Sequence, residues 1–589
     1  MVSGRGAATE PTAGPICPTL VDLLRLRADR SPDRTAFTFL VDGAAEETSL
    51  TYAALDRWAR SIAAALAAVS RPGDRALLLY PSGLPYIAAL FGCLYAGLVA
   101  VPAYPPGPNP NAMPRLRAIA GDAGASVALT TAATLPKLGR WFDDASELAA
   151  LRWLATDAVE ADGAAGWREP PVGAGALALL QYTSGSTGVP KGVMLSHDNL
   201  VQNLAAIHCW IGDTPESRLV SWLPPYHDLG LVGSILHPIY GAFPATLMAP
   251  AAFLQQPLRW LRTISDRRAT ISGAPNFAYE MCVRRTAPAD RAALDLTSWR
   301  VAANGAEPIR AETLARFADA FAPAGFRPEA FCPGYGMAEA TLMITGDVQT
   351  APPVVLRLDA AALEQGRVEP AEADEPKARA VVSCGRVWPG HEVVMVDPET
   401  GVPCPPERVG EIWAHGPSFS RGYWNRAELS ELVLRARLPT GEGPYLRTGD
   451  LGFVRGVELF VVGRMTDLII IRGRNHHPSD IEATVAASHP ALQASVGAAF
   501  SVDRDDEEQL VAVHEVDRHH LRDLRPAEVV AAIRRAVWLH HELRVGAVEL
   551  VKPHSLPMTS SGKIQRRVCR ERFLTGELVS VYRDPPDRP

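Results

Sequence analysis

The sequence predicts an α/β protein whose large N-terminal domain is followed by a smaller, mobile α+β domain. Apolar residues make up 47% of the 589 residues and charged residues 21%, as in ordinary globular proteins. Strand-like and helix-like patterns alternate through the N-terminal half, which indicates a partly parallel sheet. Near Gly463 the pattern changes, and the short strands and helices that follow form a unit of their own.

The stretch from residue 51 to residue 96 shows the alternation. Thr51 is suited to cap a helix that ends at Ala67, a strand is predicted from Ala76 to Tyr80, and the next helix from Gly83 to Ala96. The apolar positions of the first helix fall on one stripe: Leu55, Ala59, Ile62 and Leu66. The stripe predicts that this helix packs against the sheet.

The later part of the chain divides at changes of composition. The segment from Val348 to Arg379 has few large apolar groups and indicates an insertion. Glu392 to Asp397 and Gly410 to His415 predict short strands of a small β-barrel-like unit, within about 381–462. We therefore predict an N-terminal domain over 1–462 and a C-terminal domain over 463–589.

Charge, hydropathy and cysteine usage exclude several classes of function. With 58 Lys+Arg against 65 Asp+Glu, the net charge of −7 predicts no nucleic-acid partner. The longest apolar run, from Tyr86 to Val101, is shorter than the ~20 residues of a spanning helix, and it predicts a buried helix followed by a strand. Residues 1–12 show no secretory signal, and the eight cysteines are spaced singly. These features predict a cytoplasmic protein without a transmembrane segment, a disulfide framework or a zinc site.

The segment from Tyr182 to Gly192 is rich in glycine and hydroxyl groups, between predicted strands at Leu177–Leu180 and Val193–Leu195. After the second strand, Ser196 is suited to cap a helix. Backbone N–H groups, hydroxyls and one lysine suit such a loop to a polyphosphate. The candidate ligands are Thr183, Ser184, Gly185, Ser186, Thr187, Gly188 and Lys191. The spacing is not that of a Walker loop, since the lysine follows a proline and precedes a glycine. By itself, this segment favours a phosphate-binding loop over the alternative of a flexible polar hairpin.

Four more motifs follow in the order seen in the adenylate-forming superfamily, which the chain resembles. They span Gly334–Thr341, Tyr445–Gly452, Gly463–Asp467 and Thr559–Ile564. Within that superfamily the chain most resembles the fatty acyl-AMP ligases. The narrower resemblance depends on Ser221–Gly230 (SWLPPYHDLG), Gly473–Glu482 (GRNHHPSDIE) and the insertion.

The resemblance implies a role for each matching residue. Lys563 would bridge the carboxylate and the α-phosphate, and Glu339 would bind Mg²⁺ together with Thr187. Tyr335 would lie against adenine, Asp450 would accept the ribose hydroxyls, and Arg464 would approach the ribose or the phosphates. Other residues expected around the nucleotide are Asn304, Gly305, Ala306, Gly334, Gly336, Met337 and Ala338.

The resemblance also implies an acyl pocket and a hinge. Trp222, His227 and Asp228 would border the pocket, where His227 is not needed as a base because a carboxylate is already ionised at neutral pH. The hinge falls on Thr466, where the family usually has Lys or Asp. A hinge needs only to tolerate a change of φ and ψ, so threonine permits rotation of the C-terminal lid.

The implied activity has two steps. A fatty acid and MgATP would give an acyl-adenylate and pyrophosphate, and the acyl group would then pass to a phosphopantetheine thiol. The acceptor would be an acyl carrier protein, or a carrier domain of a polyketide or peptide synthase, on a separate chain. Three alternatives remain at this stage: a fatty acyl-CoA synthetase, a stand-alone amino-acid adenylation domain, and a non-catalytic scaffold that binds nucleotide or lipid.

Overall fold

The structure is a computed structural model of the chain. It describes residues 2–3, 15, 17–105, 112–139, 146–183, 190–346, 351–372, 375, 378–388, 390–471, 474–493, 495–504, 507–559 and 563–584. The prediction that residues 1–12 carry no signal falls almost entirely outside these ranges.

A mostly parallel sheet forms the first α/β layer. Its strands, in spatial order, are Arg152–Ala155, Val127–Thr130, Arg75–Leu79, Val99–Ala103 and Leu177–Thr183, and the antiparallel Lys191–Ser196 completes the edge. The accompanying helices are Leu20–Arg30, Tyr52–Ala67, Leu84–Tyr95, Ala112–Ala123, Leu135–Gly139 and Ser146–Ala149, with 3-10 turns at Thr156–Ala158 and Ala161–Gly166.

Local sequence signals explain the first of these elements. Thr51 caps Tyr52–Ala67 by accepting a hydrogen bond from the amide of Ala54, as predicted. The apolar run after residue 84 forms the buried helix Leu84–Tyr95 and then the buried strand Val99–Ala103, which confirms that prediction. None of the helices in the described ranges combines the length and apolar character that crossing a bilayer requires.

The second sheet is parallel in its first part and antiparallel in its second. The parallel strands are Thr35–Leu40, Ala245–Met248, Leu219–Ser221, Ile271–Ala274, Val301–Asn304 and Phe331–Gly336, with Glu47–Thr51 antiparallel at the edge. The antiparallel strands that follow are Met343–Gly346, Ala378–Val387, Glu458–Arg464, Leu446–Arg455, Gly410–His415, Glu392–Val396 and Val2–Ser3. The predicted small β unit is therefore present as antiparallel strands that continue the sheet.

The α-helices around the second sheet are His197–Ile211, His237–Gly241, Pro250–Gln255, Leu258–Arg267, Asn276–Arg285, Pro288–Ala292, Ala311–Phe321, Ala360–Glu364 and Ala427–Leu434. A π-helix runs over Leu229–Leu236, and 3-10 turns lie at Ala322–Ala324, Pro328–Ala330 and Ala338–Ala340. Ser196 caps the first helix in a capping box with Asn199, which confirms the predicted start of that helix.

The predicted insertion has regular structure where it is described; residues 348–350, 373, 374, 376 and 377 lie outside the description. Val355–Asp359 pairs with Ala378–Val387, and the helix Ala360–Glu364 follows. Leu358 and Leu363 pack into a small core with residues of the antiparallel strands. Leu358 and Leu363 thus anchor the insertion to the antiparallel strands.

The chain after Arg464 forms its own layers and core. The strands are Ile469–Ile471 with Arg474–His476, and Gly497–Arg504, Glu507–Glu515, Val545–Val551 and Ser580–Asp584. The helices are Pro478–Ala487, Pro526–His541 and Arg566–Thr575, after a 3-10 turn at Met465–Asp467. Its buried residues, such as Ile481, Leu510 and Val529, form a cluster separate from those of the large sheets.

Candidate active site

The carboxyl ends of two adjacent parallel strands bring two predicted adenine segments together. Val301–Asn304 leads into Gly305 and Ala306, and its neighbour Phe331–Gly336 contains Gly334 and Tyr335. A side chain at Gly305 would place its Cβ 2.9 Å from the carbonyl oxygen of Gly334, so only glycine allows this approach. Ligands of parallel sheets bind at this edge.

Asp450 joins Tyr335 and Arg464 into one polar cluster. The Tyr335 hydroxyl donates to Oδ2 of Asp450 at 2.8 Å, and Nε of Arg464 lies 2.7 Å from Oδ1. Arg464 and Asp450 are register partners on adjacent antiparallel strands. The carboxylate of Asp450 raises the pKa of the Arg464 guanidinium, although 52% of that side chain is exposed. The cluster holds the Asp450 carboxylate beside the adenine segments, with its charge paired to that of Arg464.

Glu339 is buried in the 3-10 turn Ala338–Ala340, after Met337. The hydroxyl of Tyr423 donates to its Oε1 at 2.8 Å. Burial raises the pKa of Glu339, and the hydrogen bond from Tyr423 opposes that rise. A buried carboxylate with a raised pKa is a suitable place for a divalent cation, because the cation would offset the cost of burying the charge.

The described ends of the glycine-rich loop are close to Glu339. Thr183 pairs with Lys191 at the end of the antiparallel hairpin that carries the loop. Nζ of Lys191 lies 5.6 Å from the ring centroid of Tyr423. Ser184, Gly185, Ser186, Thr187 and Gly188 lie outside the described residues. Lys191 and Glu339 therefore face the same tyrosine from two sheets.

Lys563 reaches this region from the C-terminal unit. Burial lowers the pKa of its ammonium group, while Asp228, Glu307 and Asp450 raise it and Arg464 lowers it further. These four groups come from the strand ends and loops of the N-terminal part. The lysine therefore lies in the same electrostatic neighbourhood as the nucleotide residues.

The loop that carries His227 and Asp228 also lines an apolar cavity. Nδ1 of His227 lies 2.6 Å from Oδ1 of Asp228, and the amide of Leu229 donates to the same oxygen at 2.7 Å. Burial would raise the pKa of Asp228, but His227 and Lys563 outweigh it and lower that pKa. The cavity is lined by Tyr86, Leu223, Pro225, Gly230, Ile235 and Met248 among others.

Trp222 lies next to the apolar cavity, and Thr466 lies at the start of the C-terminal unit. Trp222 is buried and stacks on Phe253 with ring centroids 4.0 Å apart, next to the cavity residue Leu223. Thr466 is exposed in the 3-10 turn Met465–Asp467, at the point where the chain leaves the large sheet.

Comparisons with known proteins place this geometry in a family. A family model described as AMP-binding enzyme matches residues 24–424, and one described as Disco-interacting protein 2-like, AMP domain, matches residues 466–582. The chain is 48% identical over 567 residues to the medium-chain-fatty-acid–acyl-carrier-protein ligase JamA of Moorena producens, covering 95% of this chain and 96% of that one. It is 37% identical over 572 residues to a long-chain-fatty-acid–AMP ligase of Mycobacterium marinum, covering 94% and 97%.

A solved structure shows the same similarity as the two relatives. The fatty acyl-adenylate ligase of Legionella pneumophila, in complex with acyl adenylate and pyrophosphate, is 40% identical, with a TM-score of 0.75 and coverage of 98% of this chain and 99% of that chain. The chain belongs to the fatty acyl-AMP ligases of the AMP-binding enzyme family. The predicted family and fold class are therefore confirmed, and this protein is a ligase that uses ATP.

Two residues of the candidate active site, Tyr423 and Glu307, were not predicted from the sequence. Tyr423 lies 84 residues from Glu339, outside every motif, and no local pattern points to it. Glu307 directly follows the predicted residues Asn304–Ala306 but was not predicted to take part in the site. Its Oε1 accepts a 2.6 Å hydrogen bond from the amide of Phe277, and burial raises its pKa.

Proposed function

We propose that this ligase joins a fatty acid to AMP and then passes the acyl group to a carrier protein. The observation that carries the proposal is the set of charges that surround Lys563. Its ammonium interacts electrostatically with Asp450 and Arg464, which are predicted nucleotide residues, and with Asp228, whose loop lines the apolar cavity. A cation with these partners is suited to act on both substrates.

The first step needs positive charge and positioning rather than a base. An oxygen of the fatty carboxylate attacks the α-phosphorus of ATP; the bond to the bridging oxygen breaks, and pyrophosphate leaves with the electron pair. No proton moves, because the carboxylate is ionised at neutral pH. Lys563 reduces the repulsion between the two anions, since an ammonium on a flexible arm can approach both.

The nucleotide residues follow from the same geometry. Asp450 would exchange its contacts with Arg464 and Tyr335 for the ribose hydroxyls, and the turn at Asn304–Ala306 would lie along the base. The hairpin that ends at Thr183 and Lys191 would bring its loop, including Ser184–Gly188, to the phosphates.

Glu339 and Thr187 would hold Mg²⁺. When bound, the ion supplies Lewis-acid stabilisation of charge on the phosphate oxygens. The chain's own contribution is the orientation of the carboxylate, which Tyr423 fixes through Oε1.

We assign medium-chain fatty acids as substrates. The relative at 48% identity is named for them, and the residues that line the cavity beside Asp228 are mostly apolar. The alkyl chain would extend from the Asp228 loop into the cavity, where burial of each CH₂ contributes about 0.8 kcal/mol.

The second step passes the acyl group to the phosphopantetheine thiol of a carrier protein, with the lid, which is the unit formed by the chain after Arg464, turned so that Lys563 leaves the site. The insertion contacts this lid. Glu364 Oε1 lies 3.1 Å from Nδ1 of His476, and Nε of Arg379 lies 3.2 Å from Oδ2 of Asp480. These contacts support a restraint on lid rotation that disfavours free coenzyme A.

Two measurements with fatty acids of graded length test the proposal. They are mass spectrometry of the adenylates that form and the rate of acid-dependent pyrophosphate exchange. We expect acid-dependent pyrophosphate exchange with a maximum among medium-chain acids, and more transfer to carrier protein than to coenzyme A when both are offered. Exchange with amino acids alone, or no exchange with any acid, would overturn it. A preference for coenzyme A would identify an acyl-CoA synthetase.

A further inference from the structure

Arg566 connects three parts of the lid. It is the first residue of the helix Arg566–Thr575, three positions after Lys563. Its Nη1 lies 2.7 Å from Oδ2 of Asp467, and its Nε and Nη2 lie 2.7 and 2.8 Å from Oε1 and Oε2 of Glu482. One guanidinium thus holds two carboxylates from different elements.

The contact with Glu482 has the geometry of a strong ion pair. It is bidentate, and only 8% of the Glu482 side chain and 24% of the Arg566 side chain are exposed. Oε1 of Glu482 also accepts a 3.0 Å hydrogen bond from the amide of Ala499. This side of the guanidinium is therefore fixed to the body of the lid.

Lys563 is bonded to the chain segment that precedes it. The amide of Thr559 donates to the carbonyl of Lys563 at 2.7 Å, and the amide of Lys563 donates back to the Thr559 hydroxyl at 3.0 Å. The amide of Gln565 donates to the carbonyl of Pro557 at 2.9 Å. These bonds join Lys563 and Gln565, the residue before Arg566, to one backbone segment, so we expect a shift of Arg566 to be passed to Lys563.

The contact with Asp467 relates that segment to the nucleotide side. Asp467 directly follows Thr466, and Arg464 two positions earlier is bonded to Asp450. Arg566 is therefore bonded to a residue that lies three positions after Arg464, close to the strand end that carries the predicted nucleotide residues.

We propose that Arg566 is a positioning residue that holds Lys563 in place for adenylate formation, by joining the segment that carries it to Asp467 and Glu482. The inference rests on the function proposed above. It predicts that loss of Arg566 impairs the first step and spares the second, because Lys563 acts only in the first.

The test compares Arg566→Gln with the neighbouring Arg567→Gln. Arg567 is 60% exposed and pairs with Glu571 within the helix, so its replacement removes the same charge without the bridge. We expect Arg566→Gln to lower kcat of ATP–pyrophosphate exchange by about 100-fold, since a displacement of roughly 1 Å has that effect on a positioned group. The KM for ATP and the rate of acyl transfer from supplied acyl-adenylate should stay near those of the wild type, as should every parameter of Arg567→Gln.

Two further variants keep the test decisive. Asp467→Asn removes the ion pair between Arg566 and Asp467 and leaves the pair between Arg566 and Glu482. The lid should therefore stay folded while the rate of pyrophosphate exchange falls. Arg566→Lys keeps the charge and should restore only part of the exchange rate, because lysine lacks the planar guanidinium that binds a carboxylate through two nitrogens.

Equal losses in both steps with a lowered unfolding midpoint would mean that Arg566 has a structural role only. If Lys563→Ala is inactive but Arg566→Gln matches the wild type, this inference fails while the proposed function stands; if the wild type shows no exchange, the proposed function itself fails.

Discussion

The hydroxyl of Tyr423 donates a 2.8 Å hydrogen bond to Oε1 of Glu339. Burial raises the pKa of Glu339, and this hydrogen bond limits the rise. Tyr423→Phe should therefore raise that pKa further. Since a metal binds the carboxylate and not the acid, exchange activity increases as pH rises through the Glu339 pKa, and the variant should need a higher pH to reach its plateau.

The pH profile of pyrophosphate exchange checks this prediction. Tyr445→Phe is the control, because the hydroxyl of Tyr445 also donates to a carboxylate, that of Glu392, but among the antiparallel strands. If the exchange activity of Tyr423→Phe falls at the same acidic pH as that of Tyr445→Phe, the role given to Tyr423 is contradicted.

Asp450→Asn should weaken ATP binding. The amide has one acceptor oxygen, whereas the carboxylate offers two charged oxygens to the ribose hydroxyls. A charged hydrogen bond contributes about 1.5–3 kcal/mol, so we expect the Kd for ATP to increase roughly 10- to 100-fold. Calorimetric titration measures it, with the exposed Asp319→Asn as control. An unchanged Kd would remove Asp450 from the nucleotide site.

The contacts between the insertion and the lid should affect the choice of acceptor. The double variant Glu364→Gln, Arg379→Gln removes charges that lie 3.1 and 3.2 Å from lid residues. We expect a larger share of acyl-CoA when coenzyme A and carrier protein compete in one reaction. Glu369→Gln, which alters an exposed pair within the insertion, should leave the share unchanged. If the double variant also leaves it unchanged, the insertion does not act through these contacts.

Asp213 should stabilise the fold in a pH-dependent way. Its two oxygens lie 2.8 Å from His208 Nδ1 and 2.7 Å from His237 Nε2, in a buried cluster whose three donor groups also match a metal-binding set. Burial alone would raise the pKa of Asp213, but His237 and His208 outweigh it and lower it to about 2. Because the folded value lies below the unfolded value, this stabilisation is complete above about pH 4 and is lost as the pH falls towards 2.

Urea unfolding of Asp213→Asn measures the effect. We expect its free energy of unfolding at pH 7 to be lower than that of the wild type by about 2 kcal/mol or more, and the gap to narrow between about pH 4 and pH 2. The exposed Asp266→Asn should show no gap. A gap that does not change with pH would mean that packing, rather than the charge of Asp213, is responsible.

The sequence predicted the features that depend on neighbours along the chain. The cap of Thr51 on its helix and the capping box of Ser196 each involve residues three positions apart. The glycine loop, Glu339, Asp450 and Lys563 were recognised because each lies in a short motif. Tyr423 and the lid contacts of Glu364 and Arg379 were not, because they pair residues about 80 or more positions apart, and only the fold brings them together.

The central claim is that Lys563 neutralises the repulsion between the fatty carboxylate and the α-phosphate. Single-turnover formation of acyl-adenylate by Lys563→Ala, measured beside calorimetric binding of ATP, tests it most directly, with the exposed Lys552→Ala as control. We predict that adenylate formation by Lys563→Ala is nearly abolished while ATP still binds and Lys552→Ala behaves as the wild type. Adenylate formation at a rate close to that of the wild type would contradict the claim.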